Sequence, residues 1–354
     1  MGITKFNNIT RLSNMILSLL LILSLTNCAE SDPANANKPN QEVVDETGSG
    51  NEDEENNGNM GTHLTTNNYV RDIVNHPAFE GFGDLLLTRD NNSSYYDTPL
   101  SNIGSLMPYH SNVRPDVVLG ALNHLIDEVK DNKTVFYDIY TEQQKQQDPA
   151  KRNTGIFFYR GNPNAPFAVV CPGGGFSYVG SLHEGFPLAQ VISEKGYNAF
   201  VIRYRIGGEQ IASEDLAAAL SFIFRNASSL EVSTENYSLW GGSAGGRMVG
   251  NIAMYGASYF GYNVPKPGTA VIIYTGQTSY SADFPPTFLA VSANDGIASP
   301  SVMEQRSQNL RSAGVDVEFH KYQSSGHGFG VGTGTDAQGW MDHAVRFWEK
   351  YITK

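Results

Sequence analysis

Leu239-Trp240-Gly241-Gly242-Ser243-Ala244-Gly245-Gly246 is the stretch that decides how this chain is read. Ahead of it, Tyr237 to Trp240 is a short β-prone run; behind it, Ala244 to Tyr255 repeats apolar residues at helical spacing. The segment therefore predicts a strand that stops on a tight turn and restarts as a helix. In such a G-x-S-x-G turn the serine sits at the tip in an unfavourable backbone conformation, and the flanking chain passes so close that Gly241 and Gly245 can carry no Cβ. With 36 glycines in 354 residues, a match to the pattern alone means little, and the strand-turn-helix context gives it weight. A serine held there is a nucleophile.

A serine hydroxyl attacks a carbonyl well only if a base takes its proton, a third group orients that base and donors await the oxyanion. Pro285 to Ser292 reads as an apolar strand that runs into Ala293-Asn294-Asp295-Gly296, which puts Asp295 in the loop at the strand's C-terminal end. Val317 to Tyr322 is a second strand, followed by Gln323-Ser324-Ser325-Gly326-His327-Gly328-Phe329, which puts His327 on a glycine-rich loop running on to Gly334. The order Ser, Asp, His is that of the α/β-hydrolase arrangement. His327 is expected to act as general base and then acid, with Asp295 holding its other nitrogen in the right tautomer. Asp283, Asp336 and Asp342 compete for the acid's place, but none directly follows a strand. His320 lies mid-strand and reads as a packed residue.

Upstream, Val169-Val170-Cys171-Pro172-Gly173-Gly174-Gly175-Phe176 ends an apolar strand on three glycines, which lets backbone N–H groups turn toward one point. The oxyanion donors are assigned to the amides of Gly174 and Ala244, with Gly175 as a further donor. A phosphate cradle is the rival reading, but no Lys-Ser or Lys-Thr follows the glycines.

Pro172-Gly173-Gly174-Gly175-Phe176, His183-Glu184-Gly185, Gly241-Gly242-Ser243-Ala244-Gly245, Asp295-Gly296 and Gly326-His327-Gly328-Phe329 together resemble the α/β-hydrolase esterases of the acetyl-xylan and feruloyl esterase kind. The resemblance covers about residue 135 to the C-terminus. It implies a Ser-His-Asp hydrolase with no metal or organic cofactor that acts on carboxylic esters, often acetyl groups on plant polysaccharides. Cys171 and Pro172 stand where many relatives in the wider esterase group carry histidine. With Ser243 at the elbow, Cys171 is expected to be a buried apolar thiol.

The first 28 residues read differently. Lys5 and Arg11 precede the apolar run Met15 to Leu25, too short to span a bilayer and suited to a signal-peptide core. Leu25-Thr26-Asn27-Cys28 then resembles a bacterial lipoprotein processing site, with lipid on Cys28 and the chain held in the bacterial cell envelope. A plain signal peptide is the alternative. Residues 29–62 hold Glu30, Asp32, Glu42, Asp45, Glu46, Glu52, Asp53, Glu54 and Glu55 against Lys38 and almost nothing apolar, and read as a disordered acidic linker. Most of the formal net charge of −12 lies in that linker. No basic patch is visible to neutralise phosphates, so nucleic acid is not an expected partner.

The regular rhythm of strands and helices after residue 135 predicts an α/β-hydrolase fold: a mostly parallel eight-stranded sheet with helices on both faces. Strands are expected at 135–140, 156–160, 168–171, 199–204, 238–240, 270–274, 287–292 and 317–322, and helices near 185–195, 213–225, 244–256, 299–313 and 339–351. Runs such as Val271-Ile272-Ile273 are apolar without alternation, as strands buried on both faces should be. Residues 63–134 read as an N-terminal extension packing on this domain, with an amphipathic helix at Asp116 to Val129. Tyr95, Tyr96, Tyr109, His110 and Arg114 form an aromatic and polar cluster within reach of the site's rim. Phe176, Tyr178, Glu184 and Arg247 are the expected pocket residues, with Glu184 and Arg247 expected to pair as ions. A serine peptidase of the prolyl-peptidase kind and a non-catalytic binding lipoprotein remain as alternatives at this stage, because fold alone does not guarantee activity.

Overall fold

The computed structural model describes residues 62–89 and 93–352. The expected signal peptide, the lipidation site at Cys28 and all but the last residue of the acidic linker lie outside the described residues.

The chain opens with a short helix α1 (Val70–Val74) and several single turns, then the helix α2 (Pro115–Lys130). Pro115 starts α2 at a position where its missing N–H costs nothing, and Val118, Leu119, Leu122, Leu125 and Ile126 form its buried stripe. The elements that follow are β1 (Phe136–Tyr137), α3 (Glu142–Gln147), β2 (Gly155–Tyr159), β3 (Pro166–Cys171), α4 (Phe186–Glu194), β4 (Asn198–Arg203), α5 (Glu209–Arg225), β5 (Ser233–Gly242), α6 (Ala244–Tyr255), β6 (Thr269–Ile273), β7 (Thr287–Ser292), α7 (Pro300–Ser312), β8 (Val317–Tyr322) and α8 (Trp340–Ile352).

The eight strands form one sheet in the order β1-β2-β4-β3-β5-β6-β7-β8. The β1/β2 and β2/β4 pairs are antiparallel and the rest are parallel. Every residue of β2, β4, β6 and β7 is buried, which is why these runs do not alternate. The edge strand β8, Val-Glu-Phe-His-Lys-Tyr, is mostly half-buried instead. Helices α4 and α8 pack on one face with α2 against α4, and α5 and α6 pack together on the other. Trp240 of β5 lies over Trp340 and Trp348 of α8, tying the elbow strand to the C-terminal helix.

Three boundaries differ from expectation, the elbow strand β5 first, which begins at Ser233 and not at residue 238. The first strand is two residues long, because the chain turns at Asp138 and Tyr140 dives inward to donate a 2.6 Å hydrogen bond to Asp215. Helix α5 begins at Glu209 and not near residue 213, with Gly208 ending the preceding loop and Glu209 placing an acidic side chain in the first turn. The apolar residues of the N-terminal segment, from Leu64 and Val70 to Leu125 and Ile126, belong to the same buried cluster as the sheet. Among the described residues no helix is long and apolar enough to cross a membrane.

The register brings Cys171 opposite Gly241, and Gly242 opposite Ile273. The loops after β3, β5, β6, β7 and β8 therefore emerge together at the C-terminal edge of the sheet, where ligand sites of open parallel sheets form.

Candidate active site

The β5–α6 turn is built as the sequence demands. Ser243 has φ 51° and ψ −117°, a conformation that L-residues rarely adopt, and its N–H donates to Ile273 O at 3.0 Å. A Cβ on Gly245 would stand 1.8 Å from Cys171 O, and one on Gly241 2.5 Å from the Gly245 carbonyl. The strain at Ser243 is held by strand pairing on one side and helix packing on the other, and it projects Oγ out of the sheet.

His327 Nε2 lies 2.9 Å from Ser243 Oγ. His327 Nδ1 lies 2.8 Å from Asp295 Oδ2 and 3.0 Å from Oδ1. The Ile297 and Ala298 N–H groups donate to Asp295 Oδ1 at 2.8 and 2.7 Å, fixing a buried carboxylate as an acceptor. With Nδ1–H donating to that carboxylate, Nε2 presents its lone pair to the serine hydroxyl. The His327 loop is tied on both sides: Gly326 N–H donates to Asn294 Oδ1, and Ser111 N–H donates to His327 O. The Tyr274 ring meets the imidazole edge-on at 5.1 Å.

The competing acids are engaged elsewhere. Asp283 pairs with Lys266, Asp342 with Lys195, and Asp336 accepts from the chain at Gln323 and Ser324. His320 stacks on Phe288 and donates from Nε2 to Glu318 Oε1 at 2.8 Å. Glu318, His320 and His343 form the described cluster whose ligand atoms could converge on a metal, but Lys350 contacts Glu318 and Arg346 contacts His343, so two cations already occupy its periphery.

After β3 the chain turns through positive φ at Gly174 (126°), Gly175 (63°) and Phe176 (56°). A Cβ on Gly174 would meet Tyr178 O at 2.2 Å, so only glycine fits. Among the described residues, the N–H groups of Gly174, Gly175 and Ala244 donate to no protein acceptor. Gly175 and Ala244 line a cavity of about 270 Å³ with Ser243, His327, Phe176 and Arg247, while Gly174 stands behind Gly175 and does not line it.

The expected pocket residues divide. Phe176 and Arg247 line the cavity, and Tyr178 and Glu184 do not. Both of the latter are buried beneath the glycine turn: Tyr178 OH accepts from Tyr109 N–H at 3.1 Å, and Glu184 Oε2 accepts from Gly173 N–H at 2.6 Å. The expected ion pair between Glu184 and Arg247 is absent. Arg247 reaches from the first turn of α6 to Glu209 of α5, Nη1 to Oε2 at 3.1 Å, whereas Glu184 faces His110, whose Nε2 lies 3.2 Å from Oε1. Burial alone would raise the Glu184 carboxyl, but His110 and the Gly173 N–H outweigh it and bring its pKa down to about 2. His183, its neighbour in the chain, donates from Nε2 to Gly328 O at 3.0 Å, and burial with His110 nearby lowers its pKa to about 4. His110, expected within reach of the rim, lies instead beneath the glycine turn against Glu184 and Tyr178, and His183 and Tyr274 are parts of the site to which the sequence assigns no role. The His183-Glu184-Gly185 motif was the available signal. Cys171 is buried in β3, where burial pushes its thiol well above the ordinary range.

Three comparisons agree with this architecture. The BD-FAE family model matches residues 159–265, from the end of β2 through the glycine turn and the elbow. An acetylxylan esterase of Xylanibacter ruminicola is 24% identical over 210 residues, covering 50% of this chain and 44% of that protein. The chain thus spans less than half the length of that relative. Among solved structures, an acetyl ester-xyloside bifunctional hydrolase from Caldicellulosiruptor lactoaceticus superposes with a TM-score of 0.54 at 18% identity, over 61% of this chain and 95% of that one. An alpha/beta hydrolase enzyme from a Medee basin deep-sea metagenome library gives 0.51 at 23% identity, over 57% and 93%.

The chain has the α/β-hydrolase fold. On this fold the positive φ at Ser243 and the order Ser243, Asp295, His327 lie at the C-terminal edge of the sheet, and the segment before residue 135 brings Tyr109, His110 and Ser111 to the same place.

Proposed function

We propose that this hydrolase is a serine esterase that removes acyl groups, acetyl foremost, from plant polysaccharides or their oligosaccharides through an acyl-enzyme on Ser243. The observation that carries the reading is the continuous chain of contacts Ser243 Oγ to His327 Nε2 at 2.9 Å and His327 Nδ1 to Asp295 Oδ2 at 2.8 Å, beside amides with no protein acceptor. Ser243 Oγ attacks the ester carbonyl while its proton passes to His327 Nε2. The tetrahedral oxyanion receives hydrogen bonds from the amides of Gly175 and Ala244, the two of the three expected donors that line the cavity. Collapse expels the sugar alkoxide, which takes the proton from His327 Nε2. Water then attacks the acyl-enzyme, giving its proton to His327, and Ser243 leaves with that proton as the carboxylic acid is released.

The substrate class rests on the acetylxylan esterase relative and on the small cavity above Ser243, about 270 Å³, which suits a short acyl group. The test is initial rates on 4-nitrophenyl acetate, butyrate and octanoate, with acetate release from acetylated xylan, for wild type and Ser243→Ala. Serine-dependent turnover confined to short esters and xylan is the expected result; no ester turnover overturns the reading. The same proposal includes lipid on Cys28 and a place in the bacterial cell envelope, which intact-mass measurement of the membrane-extracted protein checks.

A further inference from the structure

A second cavity, of about 450 Å³, adjoins the catalytic one: Arg247 and Gly276 line both. Its size is that of an ordinary small-ligand site, roughly 300–1,000 Å³. Two kinds of surface meet in it. One wall is aromatic. Tyr255 at the end of α6 and Tyr259 just beyond it are 47% and 64% exposed, with rings 5.1 Å apart, and Tyr259 is braced edge-on by Phe260. The other wall is a fixed polar network. Glu209 accepts from Arg247 at 3.1 Å and from Asn251 Nδ2 at 2.8 Å; Gln277 Nε2 donates to Asn251 Oδ1 at 2.8 Å; and Arg306, itself buried, donates to Gln277 Oε1 at 3.0 Å.

Each polar side chain in that network is already oriented by a neighbour, so it can meet a ligand without first losing freedom. An acyl chain has no use for such a floor, since its carbon chain would desolvate charged and amide groups and return nothing. A ligand with an apolar face on one side and hydroxyls around its edge suits both walls. That is the description of a pyranose ring, whose C–H face covers a phenol ring while its hydroxyls exchange hydrogen bonds with carboxylate, guanidinium and amide groups.

We propose that this cavity is a glycan subsite for the alcohol side of the ester. A pyranoside oligosaccharide esterified at Ser243 runs past Arg247 and lies over Tyr259 and Tyr255, with Glu209 and Asn251 beneath it. The inference rests on the esterase reading for its role in turnover, while the binding of sugar itself does not. Exposed tyrosines that line a cavity next to a nucleophile give a sugar ester a contact that a simple ester lacks.

The test compares wild type, Tyr259→Ala, Tyr255→Ala and Tyr259→Phe by kcat/KM on acetylated xylo-oligosaccharides and on 4-nitrophenyl acetate. It also titrates unacetylated xylohexaose into Ser243→Ala with and without Tyr259→Ala by calorimetry. The expected result is a fall of about tenfold in the ratio of glycan-ester to 4-nitrophenyl acetate turnover for the alanine variants, carried by KM, with Tyr259→Phe close to wild type and weaker xylohexaose binding without the ring. An unchanged ratio in a protein that turns over both esters overturns the subsite and leaves the esterase standing. If wild type hydrolyses neither ester, the esterase reading fails, and xylohexaose binding that depends on Tyr259 still supports the sugar site while no binding overturns it. Tyr259-dependent cleavage of aminoacyl 4-nitroanilides in place of sugar esters also overturns it.

Discussion

Glu184 Oε2 accepts a 2.6 Å hydrogen bond from the N–H of Gly173, the residue that leads into the oxyanion glycines. The carboxylate is buried and its other oxygen faces His110, so the glycine turn is anchored from below by a charge that the N-terminal segment holds in place. A Cβ on Gly173 would stand 2.7 Å from that same carboxylate oxygen, which shows how closely the two are fitted. Glu184 touches no reacting atom. It is a positioning residue.

Glu184→Ala is therefore expected to lower kcat on 4-nitrophenyl acetate by about 10²-fold, the scale on which small displacements of catalytic groups act. KM should change little, because the cavity wall that holds the ester does not include Glu184. Glu184→Gln retains an oxygen to accept from Gly173 and should recover part of the loss. Equal kcat in all three proteins would show that the turn is held without the carboxylate.

Asp295 accepts from Ile297 and Ala298 N–H at Oδ1 and faces His327 Nδ1 with both oxygens, at 2.8 Å from Oδ2 and 3.0 Å from Oδ1. In Asp295→Asn the amide nitrogen must face a donor at one end or the other, and the tautomer of His327 that leaves Nε2 free loses its support. A fall in kcat on the order of 10⁴ is expected, with the protein still folded by circular dichroism. Retention of more than a tenth of wild-type kcat would move the orienting role to another acid.

How much of this was legible in the sequence depends on how local each signal is. Ser243, Asp295 and His327 each follow a strand within a few residues and sit among glycines, so a linear reading places them at one sheet edge. The apolar run in β6 likewise declares its burial. The expected Glu184–Arg247 pair does not form, and Glu184 does not line the cavity, because the partners of both are set by packing between remote segments: His110 comes from before the first strand, and Glu209 from the start of α5. Nothing in the spacing of Glu184 and Arg247 says that the oxyanion turn lies over one of them and the cavity over the other. Tyr140 leaves its expected strand for the same reason, since Asp215 is its partner only in the folded chain.

Two glycines give opposite expectations from the same substitution. Gly245→Ala puts a methyl 1.8 Å from the Cys171 carbonyl, with backbone on both sides, and should destabilise the protein by more than about 3 kcal/mol or prevent soluble expression. Gly120 lies exposed in α2, and its Cβ would meet nothing nearer than 3.9 Å. Gly120→Ala should stabilise by about 0.5–1 kcal/mol, read as a shift in the urea midpoint.

The buried His183 and Glu184 make stability depend on pH, and the direction follows from each group. His183 titrates near 4 in the folded protein against an ordinary 6.5, because burial and then the nearby His110 oppose its protonation. Between those values the unfolded chain binds a proton that the folded chain refuses, so stability is full above pH 6.5 and is lost as pH falls toward 4. Glu184, brought down to about 2 from an ordinary 4.5 when His110 and Gly173 outweigh its burial, adds stability that is present above pH 4.5 and is lost between 4.5 and 2. The two windows adjoin, so urea unfolding at steps from pH 7 to pH 3.5 should show a continuous decline on the acid side, of which His183 supplies at most about 3 kcal/mol. His183→Gln keeps a donor for Gly328 O and removes the titration. Its stability should be flatter between pH 6.5 and 4 and unchanged in slope below; a wild-type slope in the variant would assign the acid lability to other groups.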